Sequence, residues 1–186
     1  MTIKSELKVM DADDIQRALK RISYEILDNN SGAENLAIVG LQTRGIHIAG
    51  RIALIIGEIE HTPIPVGILD VSMYRDDFRI ALKQPNVRIT SIPFEVKAIT
   101  IVLVDDVFYT GRTVRCALDA IMDFGRPGRV ELAVLVDRGH RELPLRADYI
   151  GKMIPTDPNE EVRVRVTEED GVDEVTLVTL EDEGDE

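Results

Sequence analysis

Ile101-Val102-Leu103-Val104-Asp105-Asp106-Val107-Phe108-Tyr109-Thr110-Gly111-Arg112-Thr113 decides the fold. Ile99 to Val104 is β-branched or apolar at nearly every position, the pattern of a strand buried on both faces of a parallel sheet. In an open α/β sheet, ligands gather at the carboxyl ends of such strands. Asp105 and Asp106 fall there. Two adjacent carboxylates accept hydrogen bonds from two neighbouring hydroxyls, or hold a divalent cation through its water shell. Thr110-Gly111-Arg112-Thr113 then supplies backbone N–H groups, two hydroxyls and a cation at the start of a helix predicted over Val114 to Phe124. Helix N-termini attract anions, so the order acid, turn, helix suits a sugar phosphate. A lone Asp-Asp or Thr-Gly is an ordinary helix start, and the information lies in the joined string.

Outward from this stretch, Met10 to Asp28 reads as an amphipathic helix, with Ile15, Ala18, Leu19, Ile22, Ile26 and Leu27 on one face and Asp11 or Asp13 as its cap. Leu36 to Leu41 is a second buried strand, followed by Gln42-Thr43-Arg44-Gly45 and a helical pattern over Ile46 to Ile59. Pro65 to Asp70, Val96 to Val104 and Val130 to Asp137 are further strands. Strands alternating with helices predict an α/β fold with a parallel, doubly wound sheet. Ser72 to Pro93 is polar and reads as a long loop or projecting ribbon, a length that is usually functional inside a compact domain. In the tail, Val162, Val164 and Val166 alternate with charge, Glu168-Glu169-Asp170-Gly171 is turn material, and Val175, Leu177 and Thr179 alternate again. This is a β-hairpin with its acids mostly on the wet face.

A chain of 186 residues with 44% hydrophobic content is expected to form one domain over its whole length. The single Cys116 excludes a disulfide framework, and its place beside Val114, Ala117, Leu118 and Ile121 predicts a packing role. The first residues lack a basic-then-apolar signal pattern and no long uncharged apolar run occurs, so a cytoplasmic protein without a membrane partner is expected. Net charge is −12, unfavourable for a nucleic-acid partner at first sight. The charge is localised, however: from Asp157 onward thirteen acids face only Arg163 and Arg165, whereas Met1 to Thr156 carries 21 acids and 20 bases. The body is nearly neutral and the tail strongly acidic.

Three other places carry candidate chemistry. Thr43-Arg44-Gly45 repeats the strand-end arrangement, with a guanidinium able to grip two phosphate oxygens; read locally, it is equally an ordinary turn between strand and helix. Arg75, in the long loop, is placed either to close over an anion or to pair with Asp76 or Asp77, and Asp70 remains unassigned between metal ligand and cap. Asp137 to Lys152 follows the last parallel strand with charged, Gly- and Pro-bearing residues and is expected to form a lid, or hood, over the ligand.

Val104 to Thr113 resembles the phosphoribosyl pyrophosphate (PRPP) signature of type I phosphoribosyltransferases. With Leu41 to Gly45, Tyr74 to Asp77, Val136-Asp137-Arg138-Gly139-His140-Arg141-Glu142-Leu143-Pro144 and Arg146-Ala147-Asp148-Tyr149-Ile150-Gly151-Lys152, most of the chain is similar to the pyrimidine-operon attenuation regulators that are also uracil phosphoribosyltransferases. The resemblance implies the type I phosphoribosyltransferase fold and the reaction of uracil with PRPP to give UMP and diphosphate, with Mg²⁺. It implies that Val104, Asp105, Asp106, Val107, Phe108, Tyr109, Thr110, Gly111, Arg112 and Thr113 bind PRPP, the two acids taking the ribose hydroxyls and the metal, and Tyr109 to Thr113 the 5-phosphate. Thr43, Arg44 and Gly45 would hold the pyrophosphate, with Arg44 and Arg75 serving the leaving group. Uracil would be read near Val136, Asp137, Arg138, His140, Ile150 and Lys152, largely by backbone.

The same resemblance implies a homo-oligomer that binds the leader of pyrimidine-operon mRNA when UMP or UTP is bound. Arg17, Lys20 and Arg21 share a helix face, and Arg138, Arg141, Arg146 and Lys152, with His140, form a second basic cluster for that RNA. A solvated charged helix face explains the first cluster equally well. Were the acidic tail to lie beside these bases it would oppose RNA, so a uracil phosphoribosyltransferase without regulation, or an enzyme for another base, are the alternatives.

Overall fold

A computed structural model describes residues 2–71 and 90–181. In chain order these form β1 (Thr2–Met10), α1 (Ala12–Asn30), β2 (Leu36–Leu41), α2 (Gly45–Glu60), β3 (Val66–Leu69), β4 (Thr100–Phe108), α3 (Arg112–Met122), β5 (Arg129–Asp137), β6 (Tyr149–Met153), β7 (Glu160–Arg165), α4 (Thr167–Asp170) and β8 (Glu174–Glu181). Tyr74 to Asp77, Arg75 among them, and most of the long loop lie outside the described residues.

The apolar strands do what their composition requires. β2 is buried along its full length and Ile101 to Val104 of β4 are completely enclosed, in a five-stranded sheet of order β3-β2-β4-β5-β6 with every pairing parallel. α1 and α2 cover one face, where Ile15, Leu19, Ile22, Ile48, Ile52 and Ile56 pack; α3 covers the other through Val114, Ala117 and Ile121. Helices on both faces make the sheet doubly wound, as its alternation predicts. α1 starts at Asp11, whose carboxylate accepts from Asp14 N–H while Asp14 reaches back to Asp11 N–H, a reciprocal cap that fixes the first turn.

A separate three-stranded antiparallel sheet, β1-β8-β7, forms from the two ends of the chain. The tail hairpin is therefore present, its turn wound into α4 and closed by Gly171 in the left-handed region. Four readings need correction. β1 is a strand that sequence pattern misses, because Thr2 to Lys8 are all exposed and its place is set by pairing with β8. The acid pair lies within β4, not beyond it, since Asp105 and Val107 stay in the ladder opposite Val134 and Val136. α3 begins at Arg112, two residues early, so Arg112 and Thr113 belong to the helix. Finally, Tyr149–Met153 is the edge strand of the parallel sheet, and the hairpin sheet, through β7, lines the cavity together with Arg138 and Glu142 of the segment before that strand.

Candidate functional site

The carboxyl end of β4 opens into a cavity of about 630 Å³ walled by Asp105 to Val114, Arg44, Arg138, Glu142 and, from above, Glu161 to Arg165 of β7. Asp105 is buried and accepts a hydrogen bond from Asp106 N–H at 2.9 Å; Asp106 is half-buried. Beyond them the chain turns at Gly111, whose φ of +94° admits glycine readily and other residues at a cost. Gly111 caps α3 with no side-chain acceptor, and a helix start of this kind, with the N–H groups of Thr113 and Val114 behind it, suits an anion. Thr110 Oγ1 takes Arg112 N–H at 3.3 Å, and the turn is held from behind where Glu142 and Leu143 N–H donate to Thr110 O at 3.0 and 3.3 Å. Arg112 pairs with Glu142 at 2.7 Å.

Thr43, Arg44 and Gly45 join β2 to α2 beside this corner. A Cβ on Gly45 would stand 2.6 Å from Val104 O, so only glycine lets α2 start against the strand that carries the acids. Arg44 lines the cavity, yet its guanidinium is held from the hairpin turn: Nε and one terminal nitrogen donate to Asp170 at 2.9 and 2.7 Å. The Asp170 bond keeps Arg44 above the ordinary guanidinium value, and the same bond lowers Asp170. Further along α2, His47 lies 3.0 Å from Glu169, and Arg51 grips both Glu168 (2.6 Å) and Asp173 (2.8 Å). Four of the tail's acids, Glu168, Glu169, Asp170 and Asp173, are thus paired with bases at the start of α2 and along it. Glu174 is likewise taken by Lys8 at 2.7 Å and by Arg165 at 2.5 Å, bonds that lower its pKa.

The loop after β5 faces the cavity from the far side. Arg138 is buried, donates to Thr156 Oγ1 (3.1 Å) and Glu160 O (2.7 Å), and stacks 4.1 Å over the Tyr109 ring. Asp137 is buried between Gly139 N–H and Arg141. Arg141 also donates to Tyr109 O at 2.5 Å and Gly139 O at 2.9 Å and lies 3.4 Å over Phe108, tying the two loops together. His140 sits edge-on to Tyr109 with Nε2 2.6 Å from Thr156 O.

Val136 is enclosed within β5; Ile150 and Lys152 on β6 sit opposite Val134 and Val136, away from the cavity lining. β6 instead meets the basic face of α1: Arg21 donates to Ile150 O and Gly151 O at 3.0 and 2.5 Å, and Lys152 to Val9 O at 2.8 Å. Arg17 pairs with Asp14, while Lys20 and Arg146 are exposed. The two expected basic clusters therefore divide differently: Arg21 and Lys152 come to one sheet edge, Arg138 lines the cavity, and His140 and Arg141 pack against Tyr109 and Phe108 of its wall. Sequence reading missed Arg163 and Arg165 in the roof; the signal was their alternation with buried Val162, Val164 and Val166. Among the described residues no three His, Cys, Asp or Glu side chains converge as a cation cage.

This corner, on a doubly wound sheet with a second sheet above it, defines a phosphoribosyltransferase: the phosphoribosyl transferase domain family matches residues 9–169, and the chain belongs to that family. Within it the chain is a member of the PyrR group. It is 56% identical over 177 residues to the bifunctional protein PyrR of Thermus aquaticus, covering 95% of this chain and 97% of that one. To the bifunctional protein PyrR of Deinococcus deserti it is 54% identical over 174 residues, 94% of this chain and 95% of the relative. The solved structure of the hypoxanthine phosphoribosyltransferase of Trypanosoma cruzi superposes with a TM-score of 0.70, covering 94% and 97% of the two chains at 17% identity, which speaks for the fold. No described helix is long and apolar enough to cross a membrane.

Proposed function

We propose that the protein transfers the phosphoribosyl group of PRPP to uracil, releasing diphosphate and forming UMP, and that with UMP or UTP bound it attaches to the leader of pyrimidine-operon mRNA in the cytoplasm, as a homo-oligomer. One observation carries the enzymatic reading: the Asp105-Asp106 pair lies in the last residues of β4, which ends at Phe108, and shares one cavity with the Gly111 turn that opens α3. The carboxylates take the ribose 2- and 3-hydroxyls, and the N–H groups of Tyr109 to Thr113 take the 5-phosphate.

Two adjacent carboxylates, with no third His, Cys, Asp or Glu converging on them among the described residues, fit a Mg²⁺ that would be held by Asp105 and Asp106 together with the substrate's phosphates. When bound, Mg²⁺ would neutralise charge on the diphosphate. The residues do the rest by placement. Arg44, and Arg75 from the long loop, stabilise the departing anion; Val136 to His140 present backbone groups to the base; β7 roofs the cavity and limits water. Thr43 and Gly45 bring backbone to the diphosphate, and Ile150 and Lys152 support the base loop from β6. The α1–β6 edge, with Arg17, Lys20, Arg21 and Lys152, is the proposed RNA surface, joined by the exposed Arg146 of the loop before β6. The acidic hairpin is no obstacle of the size its charge suggests, because Glu168, Glu169, Asp170, Asp173 and Glu174 are paired within the fold.

Diphosphate release from PRPP with uracil, with hypoxanthine and with no base tests the chemistry; release that depends on uracil is expected, and equal or greater release with hypoxanthine would overturn the base assignment. Replacing Asp105 and Asp106 together by Asn should abolish PRPP binding in calorimetry. Filter binding of leader RNA with and without UMP, at stated salt, tests regulation, since phosphate contacts weaken as salt rises.

A further inference from the structure

The contact between Arg44 and the hairpin turn assigns a task to a residue far along the chain. Arg44 lines the cavity together with Asp105 and Asp106, whereas Asp170, which holds it, is not among the lining residues. The carboxylate thus stands behind the guanidinium. A guanidinium has five N–H groups in a planar fork. Asp170 takes two, through Nε and one terminal nitrogen, and the hydrogen bonds among the described residues leave three on the other edge. Asp170 is itself fixed: its Oδ2 accepts Val166 N–H at 2.9 Å, and its own N–H donates to Val166 O at 2.7 Å. The turn that carries it is clamped to α2 a second time, by Arg51 on Glu168 and Asp173.

We propose that Asp170 is a positioning residue for the diphosphate subsite, holding the Arg44 guanidinium by one edge so that its other edge meets the departing diphosphate. The roof sheet and the diphosphate loop thereby become one unit. A flexible arginine would have to lose its rotamer freedom on binding; one already gripped by a carboxylate has lost it beforehand. The proposal rests on the reading of Arg44 as the diphosphate contact.

Asp170→Asn is the test, because the amide oxygen still caps Val166 N–H while the anionic bidentate acceptor is lost. We expect KM for PRPP and Kd for inorganic diphosphate to rise together by about tenfold, with kcat falling less. Affinity for UMP, which lacks the diphosphate, should change by less than about twofold. Asp170→Ser, whose hydroxyl offers Val166 N–H an acceptor in place of the carboxylate, should behave alike and serves if the Asn variant fails to fold. In an Arg44→Gln background the Asp170 substitution should have no further effect, which a merely structural role would not produce. Unchanged diphosphate affinity in both Asp170 variants, with Arg44→Gln still impaired, overturns the proposal. Tighter diphosphate binding also overturns it, by making Asp170 a competitor. Should Arg44→Gln itself leave diphosphate affinity intact, the reading of Arg44 fails first and takes the proposal with it.

Discussion

Alanine at Gly45 and alanine at Gly50, one substitution at two places on α2, should act in opposite directions. At Gly50 a Cβ meets nothing within 4 Å, so the change only removes a flexible residue from a helix interior and should stabilise by about 0.5–1 kcal/mol. At Gly45 the new Cβ stands 2.6 Å from Val104 O and 3.2 Å from Asp105 Cα, both main-chain atoms that cannot rotate away. Either α2 must back off β2 and β4 or β4 must bend where the acids sit. Overpacking of this kind costs about 1–3 kcal/mol, so the two variants should differ by roughly 1.5–4 kcal/mol in urea unfolding. A shift of this corner by a fraction of an ångström should also lower kcat/KM for PRPP by about tenfold in Gly45→Ala and leave Gly50→Ala near wild type. Urea midpoints at one fixed protein concentration, followed by initial rates, decide the matter. Gly45→Ala matching Gly50→Ala in both readouts would refute the packing argument.

Other perturbations test the scaffold. Tyr149 is half of a buried polar knot: its hydroxyl donates to Glu131 at 2.7 Å and accepts from Asn29 at 3.0 Å, and burial with the Glu131 bond pushes its pKa up. Tyr149→Phe leaves the buried Glu131 short of a donor and should cost about 1–3 kcal/mol in urea unfolding. Asp11→Ala removes the cap of α1 and should lower the thermal midpoint by roughly 2–4 °C, for about 1 kcal/mol lost. The hairpin latch should be acid-sensitive: Arg51 lowers Glu168, and at Asp173 burial, the largest cause, pushes up while the bonds from Arg51 and Thr167 together bring the carboxyl below its ordinary value. Carboxyls depressed in the folded state stabilise it above their unfolded value near about pH 4, and that contribution disappears as pH falls through the folded value. Thermal midpoints recorded from neutral to acid pH should therefore fall more steeply in wild type than in Arg51→Met; parallel slopes would count against the latch.

What was legible in the sequence followed from local physics. Ile101 to Val104 has no amphipathic option and must be buried, and Leu36 to Leu41 is placed to the residue for the same reason. The helix face of Ile15, Ala18, Leu19, Ile22, Ile26 and Leu27 is buried as its spacing requires. The turn at Thr110 to Thr113 is legible because Gly111 supplies the positive φ and the Thr110 hydroxyl accepts Arg112 N–H, both local needs. The missed features depend on partners distant in the chain. β1 exists because β8 pairs with it, and Thr2 to Lys8 show no buried face of their own. Arg163 and Arg165 read as surface charge on a tail, since their alternation with Val162, Val164 and Val166 shows that β7 has a buried face but not that the strand lies over a cavity. The acids at Glu168 to Asp173 were counted as an unscreened charge because their partners Arg44, His47 and Arg51 lie on another helix.

The pairing of β1 with β8, Thr2 opposite Glu181, bears on the order in which the protein matures on the ribosome. The parallel sheet can assemble as its strands emerge, but β1, made first, has no neighbour until β8, made last among the described strands, is free of the exit tunnel. A nascent chain stalled after β7 would present an open acid pair beneath an unfinished ceiling, so competence to handle substrate should arise as a late step in biogenesis.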